Sequence, residues 1–232
     1  YANLGPVRKR FGSPQVAAFA ATATPRLRSQ VKASLGIPNA REFVHGFNRP
    51  NLAMAIWHLD RPDGRKLDKT AEFELKVEAV SNLLAALSLG GTRKSLVFVP
   101  TRDIADRLGV ALAKRGHSAG VYHSGLSAQQ REFVYNQILG QAQPHLTTVI
   151  STSAFGMGVD IPDIRLVIHW CQPQSIEDFY QEIGRAGRDR FSAGAILLKT
   201  PGDEGIVKFM IEVNLPKDLD DTDLREIKSV KL

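Results

Sequence analysis

The stretch that decides the fold is SLVFVPTRDIADRLGVALAKRG, residues 95–116. It opens with a short apolar run rich in β-forming residues, which predicts a buried strand. Thr101 can then cap a helix whose apolar residues recur at intervals of three and four, and Gly116 can end that helix. A strand followed directly by an amphipathic helix predicts the first half of a βαβ unit.

The same alternation continues on the C-terminal side of this stretch. Further strands are predicted over residues 118–122, 147–151, 165–169 and 193–198, and helices over residues 127–139, 175–185 and 203–213. Strands that alternate with helices of this length are typical of an α/β fold with a parallel sheet. On the N-terminal side we predict a strand (15–23), a helix (25–35), extended segments (42–46 and 52–57), a polar loop (60–68) and a long helix (69–89).

Polar residues follow three of the predicted strands, in residues 100–102, 123–125 and 152–153. Ligands of parallel sheets collect at the carboxyl ends of the strands. We therefore expect these three segments to contribute to a binding site.

The composition is that of an ordinary globular protein, with 232 residues and 43% hydrophobic residues. It excludes a disordered, collagenous or coiled-coil chain. The single cysteine, Cys171, excludes an intramolecular disulfide framework and a multi-cysteine zinc site. No apolar stretch is long enough to span a membrane. The first residues include neither an initiator Met nor the apolar core of a signal peptide, so we expect a piece of a longer intracellular protein.

The net charge of +6 arises from 30 basic and 24 acidic residues, and it is distributed unevenly. Residues 1–49 contain eight Lys or Arg residues and one Glu, whereas residues 50–211 contain 18 basic and 17 acidic residues. The basic excess therefore fits a solvated face as well as a nucleic-acid surface.

Two hydroxyl residues, Thr152 and Ser153, precede Gly156 and Gly158 at the end of a predicted strand. Glycines let backbone N–H groups approach a phosphate closely, and hydroxyls add further donors. Asp160 could accept a hydrogen bond from a ribose hydroxyl. A Gly-x-Gly turn after a strand can equally be structural, and the third glycine of the dinucleotide fingerprint is missing here.

Arg185 and Arg188 lie three residues apart at the end of a predicted helix. Each guanidinium is a planar donor fork suited to a polyphosphate, and the small residues Gly184, Ala186 and Gly187 give a phosphate access to it. The alternative is a basic helix end that complements the helix dipole, but that role does not need the glycines.

His123 follows a predicted strand and precedes Ser124 and Gly125. A histidine in this position is commonly a hydrogen-bonded structural residue. Beside a hydroxyl and a glycine it could instead contact a phosphodiester backbone.

Taken in order, these segments resemble the superfamily-2 helicases and, within them, the RecQ family. Residues 153–169 resemble motif V of that family, and residues 181–189 (QEIGRAGRD) resemble its motif VI. Four further segments show weaker likenesses. Residues 95–102 resemble motif IV, and residues 122–126 resemble the tyrosine-histidine-glycine turn. Residues 47–52 resemble the arginine-proline-asparagine-leucine segment, and residues 21–24 resemble the end of motif III. The resemblance spans about residues 4–200.

The resemblance implies a RecA-like parallel β-sheet with helices on both faces. Residues 48–215 would form the second RecA-like lobe of the motor, and residues 1–47 would be the remnant of the first, ATP-binding lobe. Residues 216–232 would be an acidic tail or the start of a further region. The implied activity is an ATP-dependent 3′–5′ DNA helicase, with ATP and Mg²⁺ bound mainly by the first lobe.

The resemblance also implies roles for individual residues. Arg185 and Arg188 would be arginine fingers, and Gln181 would help to couple the lobes. The residues in contact with ATP would be Gly158, Asp160, Arg185 and Arg188. The residues along the single-stranded DNA track would be Thr101, Arg102, His123, Ser124, Thr152 and Ser153.

Some features depart from the family pattern. The sequence contains neither Gly-x-x-x-x-Gly-Lys-Ser/Thr nor Asp-Glu-x-His, so we expect this chain alone to be inactive as an ATPase. No cysteine cluster follows motif VI, and Ala20 and Asn48 stand where the family commonly has a hydroxyl residue and an aspartate. We expect single-stranded or partly duplex DNA and the first lobe as partners, no membrane, and a location at the nucleoid or in the nucleus.

Two alternatives remain from the sequence. The Gly-Arg-Ala-Gly-Arg core also occurs in superfamily-2 RNA helicases and translocases. A non-catalytic lobe that only binds nucleic acid or a partner is the second alternative, although such a lobe has no need of Arg185 and Arg188.

Overall fold

The computed structural model describes residues 4–20, 23–44, 49–59, 67–88, 90, 93–152, 155 and 160–203. The chain divides into two compact units, Tyr1–Arg49 and Pro50–Leu232. The predicted boundary between residues 47 and 48, the predicted helix beyond its first residue and the predicted tail lie outside the described residues.

The first unit contains helix α1 (Leu4–Arg10) and helix α2 (Pro25–Leu35). The prediction for α2 is confirmed at both ends. Thr24 caps its first turn by accepting a hydrogen bond from Leu27 N, Pro25 occupies the first helical position, and Gly36 ends the helix in the left-handed conformation with φ of +66°.

The strand predicted over residues 15–23 is wrong for its described part. Residues 15–20 have no regular secondary structure and are mostly exposed. A β-forming composition favours a strand only where a neighbouring strand completes the hydrogen-bond ladder, and the described residues of this unit provide none. The segment predicted as extended over residues 42–46 is likewise irregular through residue 44.

The second unit alternates strands and helices, as the sequence predicted. Its described elements are β1 (Leu52–His58), α3 (Lys69–Ser88), β2 (Lys94–Phe98), α4 (Arg102–Lys114), β3 (Ala119–Tyr122), α5 (Ala128–Leu139), β4 (Thr148–Ser151), β5 (Ile164–His169), α6 (Ile176–Ile183) and β6 (Ala193–Lys199). Most bounds agree with the prediction to within two residues. Helix α6 ends at Ile183 rather than at residue 185, because the chain turns from Gly184 onward.

The described strands form one parallel sheet in the order β1-β6-β5-β2-β4-β3. Neighbouring residues of each central strand point to opposite faces. Val97 and Ile168 pack into a core shared with α3 and α4, whereas Leu96 and Val167 pack into a core shared with α5 and α6. Helices therefore cover both faces, and the predicted RecA-like α/β fold is confirmed.

Strands β2 and β5 are neighbours in the sheet, but the chain leaves them in opposite directions. Helix α4 leads from β2 towards β3, while α6 leads from β5 towards β6 on the other face. This divergence is the topological switch point, where open α/β sheets form a crevice at the carboxyl ends of the strands. Within the described residues no helix is both long enough and apolar enough to cross a bilayer.

Candidate functional site

The three polar segments that follow β2, β3 and β4 lie at one edge of the sheet. The strands are adjacent in the order β2-β4-β3 and end at Phe98, Ser151 and Tyr122. Ser151 Oγ donates to Tyr122 O at 2.7 Å, which ties two of these ends together. The sheet thus gathers residues from three distant parts of the sequence at its carboxyl edge.

Arg102 and Ser124 meet at this edge, with Arg102 Nη2 donating to Ser124 Oγ at 2.8 Å. Both residues are exposed. The Thr101 hydroxyl is used as a helix cap and accepts from Ile104 N at 3.2 Å. Thr152 is half-buried directly after β4, and Ser153 lies outside the described residues.

His123 points into the protein and has only 6% of its surface exposed. Its Nδ1 accepts a hydrogen bond from Gly125 N at 3.1 Å, so in the neutral ring the proton is on Nε2. Nε2 lies 3.1 Å from Asp106 Oδ1 and donates to it. Both ring nitrogens therefore hold the turn that carries Ser124 against the first turns of α4.

The turn after α6 lies at the opposite, amino-terminal edge of the sheet. Gly187 N donates to Ile164 O at 2.8 Å, and Ile164 is the first residue of β5. Asp189 forms a two-point ion pair with Arg165, the second residue of β5. Arg165 also lowers the pKa of the Asp189 carboxyl.

Arg185 is buried, with 9% of its surface exposed. Its Nε has no hydrogen-bond partner in the part of the chain that the structure describes. Burial and the charge of Arg188 lower the pKa of Arg185, while Glu182 acts in the opposite direction. A buried guanidinium with an unsatisfied donor is unfavourable by itself, and an anion beside it would compensate.

Arg188 is exposed and donates from Nη1 to Asp160 Oδ1 at 2.8 Å. The Asp160 side chain is 80% exposed, so this ion pair is screened by water and an anionic ligand can compete for Arg188. Gln181 is exposed on the last turns of α6, and Gly158 lies outside the described residues. The structure thus brings together Arg188 and Asp160, two residues that the sequence assigned to one ligand.

Sequence reasoning missed three residues that hold these segments in place: Asp106, Asn51 and Arg165. Asn51 Nδ2 donates to both Gly187 O and Phe191 O at 2.9 Å. The sequence gives no local signal for Asp106 or Arg165, because each is one charged residue among many. Asn51 falls in the arginine-proline-asparagine-leucine segment, to which no role was assigned.

A cavity of about 240 Å³ lies at the switch point, between the carboxyl ends of β2 and β5. His169 borders this cavity. Its Nε2 is hydrogen-bonded to Glu182 Oε2 at 2.8 Å, and its ring stacks on Phe98. Cys171 also borders the cavity, and burial raises the pKa of its thiol to about 12. At neutral pH this thiol is therefore in its protonated form, which is a weaker nucleophile than a thiolate.

The two groups of candidate residues are separated by the length of the central strands. Strand β5 has six residues, so the two edges of the sheet are about 16 Å apart at the rise of a parallel strand. The described residues among those assigned to DNA lie at the carboxyl edge, whereas Arg188 and Asp160 lie at the amino edge. One lobe can therefore contact two ligands at the same time.

Comparisons with known proteins agree with this architecture. The model of the family "Helicase conserved C-terminal domain" matches residues 75–190. The chain is 36% identical over 92% of its length to a probable ATP-dependent DNA helicase RecS of Bacillus subtilis, and 30% identical over 88% to the ATP-dependent DNA helicase RecQ of Pasteurella multocida. It spans 40% and 29% of the length of these two relatives.

Among solved structures, the fold is similar to that of Saccharomyces cerevisiae Dbp5 bound to RNA and ADP BeF3. The TM-score is 0.64 at 20% identity, and the match covers 95% of this chain and 55% of the other. At this identity the likeness concerns the fold alone.

Proposed function

Because the chain belongs to the family of helicase conserved C-terminal domains, we propose that it is the second motor lobe of an ATP-dependent 3′–5′ DNA helicase of RecQ type. The DNA helicases among its relatives, at 30–36% identity, support DNA rather than RNA as the substrate. In this proposal residues 1–47 are the remnant of the first lobe, which binds ATP and Mg²⁺.

The observation that carries the proposal is the environment of Arg185. Its side chain is buried beside a second arginine, and its Nε lacks a partner among the described residues. An ordinary buried arginine is paired with a carboxylate or a carbonyl, because an unpaired buried charge is costly. The γ-phosphate of ATP, presented by the first lobe, would supply an acceptor for this donor.

In the proposed reaction Arg185 and Arg188 stabilise the negative charge that develops on the transferring phosphoryl group. Arg188 exchanges Asp160 for the phosphate, and Asp160 becomes available to the ribose. Gln181 would contribute to this side of the cleft, and the proposal includes Gly158, which lies outside the described residues. ATP and Mg²⁺ supply the phosphoryl chemistry, while this lobe supplies donors at fixed positions, a contribution of about 10³–10⁵ in rate in other nucleotide hydrolases.

At the carboxyl edge the lobe would grip the DNA backbone. Arg102 and Ser124 present exposed donors, and Thr101 and Thr152 flank them. Ser153, which lies outside the described residues, would be a further contact in this proposal. His123 would take part by holding the turn in place. Contacts of this kind are independent of base sequence and weaken with salt.

The experiment is alanine replacement of each arginine in the full-length protein. We expect Arg185→Ala and Arg188→Ala each to lower the kcat of DNA-stimulated ATP hydrolysis by about 10³-fold or more. Arg190→Ala is the matched control, because Arg190 is an exposed arginine of the same turn. Circular dichroism and DNA affinity should be unchanged in all three variants, and wild-type turnover in Arg188→Ala would contradict the proposal.

A further inference from the structure

A side chain from a distant part of the sequence contacts the turn that carries the arginines at two points. Asn51 Nδ2 donates to Gly187 O and to Phe191 O, both at 2.9 Å. These carbonyls lie 136 and 140 residues away in sequence, and they flank Arg188 on its N-terminal and C-terminal sides, respectively. One carboxamide therefore closes residues 187–191 into a fixed loop.

Asn51 is itself fixed by the sheet. Its carbonyl oxygen accepts a hydrogen bond from Ala193 N at 2.9 Å, so its backbone extends the pairing of β1 and β6 by one step. Asn51 is also the second residue of the Pro50–Leu232 unit. The start of this unit thus holds the arginine turn directly.

The turn is shaped to receive this carboxamide. Gly187 has φ of +57°, and a Cβ there would lie 2.6 Å from Asn51 Nδ2 and 2.7 Å from Phe191 O. A side chain at residue 187 would be strained and would also displace the amide. Gly187 is therefore needed for the close approach of Asn51 as well as for the turn.

We propose that Asn51 is a positioning residue for ATP hydrolysis, which holds Arg185 and Arg188 in the geometry required by the transferring phosphate. This inference rests on the proposed function. Asn51 does not touch the phosphate and acts only through the turn. Its effect should be large in the chemical step, because a shift of about 1 Å in a catalytic group can lower a rate by about 10²-fold.

The first test replaces Asn51 with Asp in the full-length protein. Aspartate has the same shape but lacks both N–H donors, so it removes the two hydrogen bonds and repels the two carbonyls. We expect kcat for DNA-stimulated ATP hydrolysis to fall at least 10-fold in Asn51→Asp and in Asn51→Ala. KM for ATP and Kd for DNA should stay within about threefold of wild type.

A purely structural role is excluded by two further measurements. Asn51→Asp should bind ADP as tightly as wild type but should lose most of its affinity for ADP with aluminium fluoride, which mimics the transferring phosphate. In an Arg188→Ala background, Asn51→Asp should lower kcat by less than twofold, because residues that act as a unit are not additive. Asn136→Asp, at a half-buried asparagine of α5, is the control and should behave as wild type.

The outcomes separate this inference from the proposed function. If Asn51→Asp retains kcat within twofold of wild type while Arg188→Ala is inactive, the positioning role is wrong and the motor function stands. If Asn51→Asp loses ADP and transition-state-analogue affinity equally, Asn51 only supports the fold and the inference is overturned. If Arg188→Ala hydrolyses ATP normally, the proposed function itself fails.

Discussion

At the scale of single residues, two arginines three positions apart lie in opposite environments. Arg185 is buried and its Nε lacks a partner among the described residues, whereas Arg188 is exposed and bound to Asp160. Burial strengthens the electrostatic interaction of Arg185 with a nearby anion, and exposure lets Arg188 exchange one anion for another. The two arginines are equivalent in the sequence pattern, and only their surroundings in the fold distinguish them.

A neighbouring ion pair gives this turn a measurable dependence on pH. Arg165 holds the pKa of the Asp189 carboxyl below its ordinary value. A lowered carboxyl pKa adds stability above the pKa of the unfolded chain, about 3.9, and that stability is lost as the pH falls through the folded pKa. We expect Asp189→Asn to lower the free energy of unfolding at pH 7, with a deficit that shrinks below about pH 4.

Urea unfolding between pH 7 and pH 2.5, followed by the fluorescence of the buried Trp170, checks this expectation. Asp103→Asn is the control, because the Asp103 carboxylate belongs to an exposed ion pair with Arg107 and should contribute little to the free energy of unfolding. A deficit in Asp189→Asn that is the same at every pH would exclude the ion pair as its source.

At the scale of elements, local capping signals decide where helices begin and end. Ser127 and Gln130 form a reciprocal capping box at the start of α5, and Gly140 ends the helix in the left-handed conformation. Thr101 caps the start of α4 by accepting a hydrogen bond from Ile104 N. These side-chain contacts span three residues of sequence. The cap by Thr101 was predicted from the sequence, whereas the return contact from Gln130 was not.

The capping box offers a test of one element. Ser127→Ala removes the acceptor for Gln130 N, which is 3.2 Å from Ser127 Oγ. We expect a loss of about 1 kcal/mol in the free energy of unfolding, measured by urea titration. Ser127→Thr keeps the acceptor and should lose less than half of that amount. Equal losses in the two variants would show that the hydroxyl is not the cause.

At the scale of the whole molecule, the sheet separates two groups of candidate residues that alternate along the sequence. The residues proposed for DNA follow β2, β3 and β4, whereas the arginine turn contacts the start of β5 and Asn51. The net charge of +6 has little part in this, because residues 50–211 are almost neutral. A few donors at strand ends carry the proposed binding.

The sequence also predicts whether the chain by itself hydrolyses ATP. We expect the 232-residue chain to release no phosphate from ATP, with or without single-stranded DNA. An arginine finger only stabilises charge on a phosphate that other residues hold, and this sequence lacks the Gly-x-x-x-x-Gly-Lys-Ser/Thr loop. A phosphate-release assay of the chain beside the full-length protein checks this. DNA-stimulated turnover by the chain alone would contradict it.

The amino-acid sequence by itself determined the order and type of the helices and strands in residues 50–203, the helix caps and the segments that resemble helicase motifs. These features depend on residues that are close together along the chain. The strand predicted over residues 15–23 failed in its described part because a strand also needs a neighbour.

Only the tertiary structure decided which strands are adjacent, that His123 points inward to Asp106, that Arg185 is buried and that Asn51 holds a turn 136 residues away. Burial and long-range hydrogen bonds arise from packing between distant segments. No local pattern of residue types specifies them.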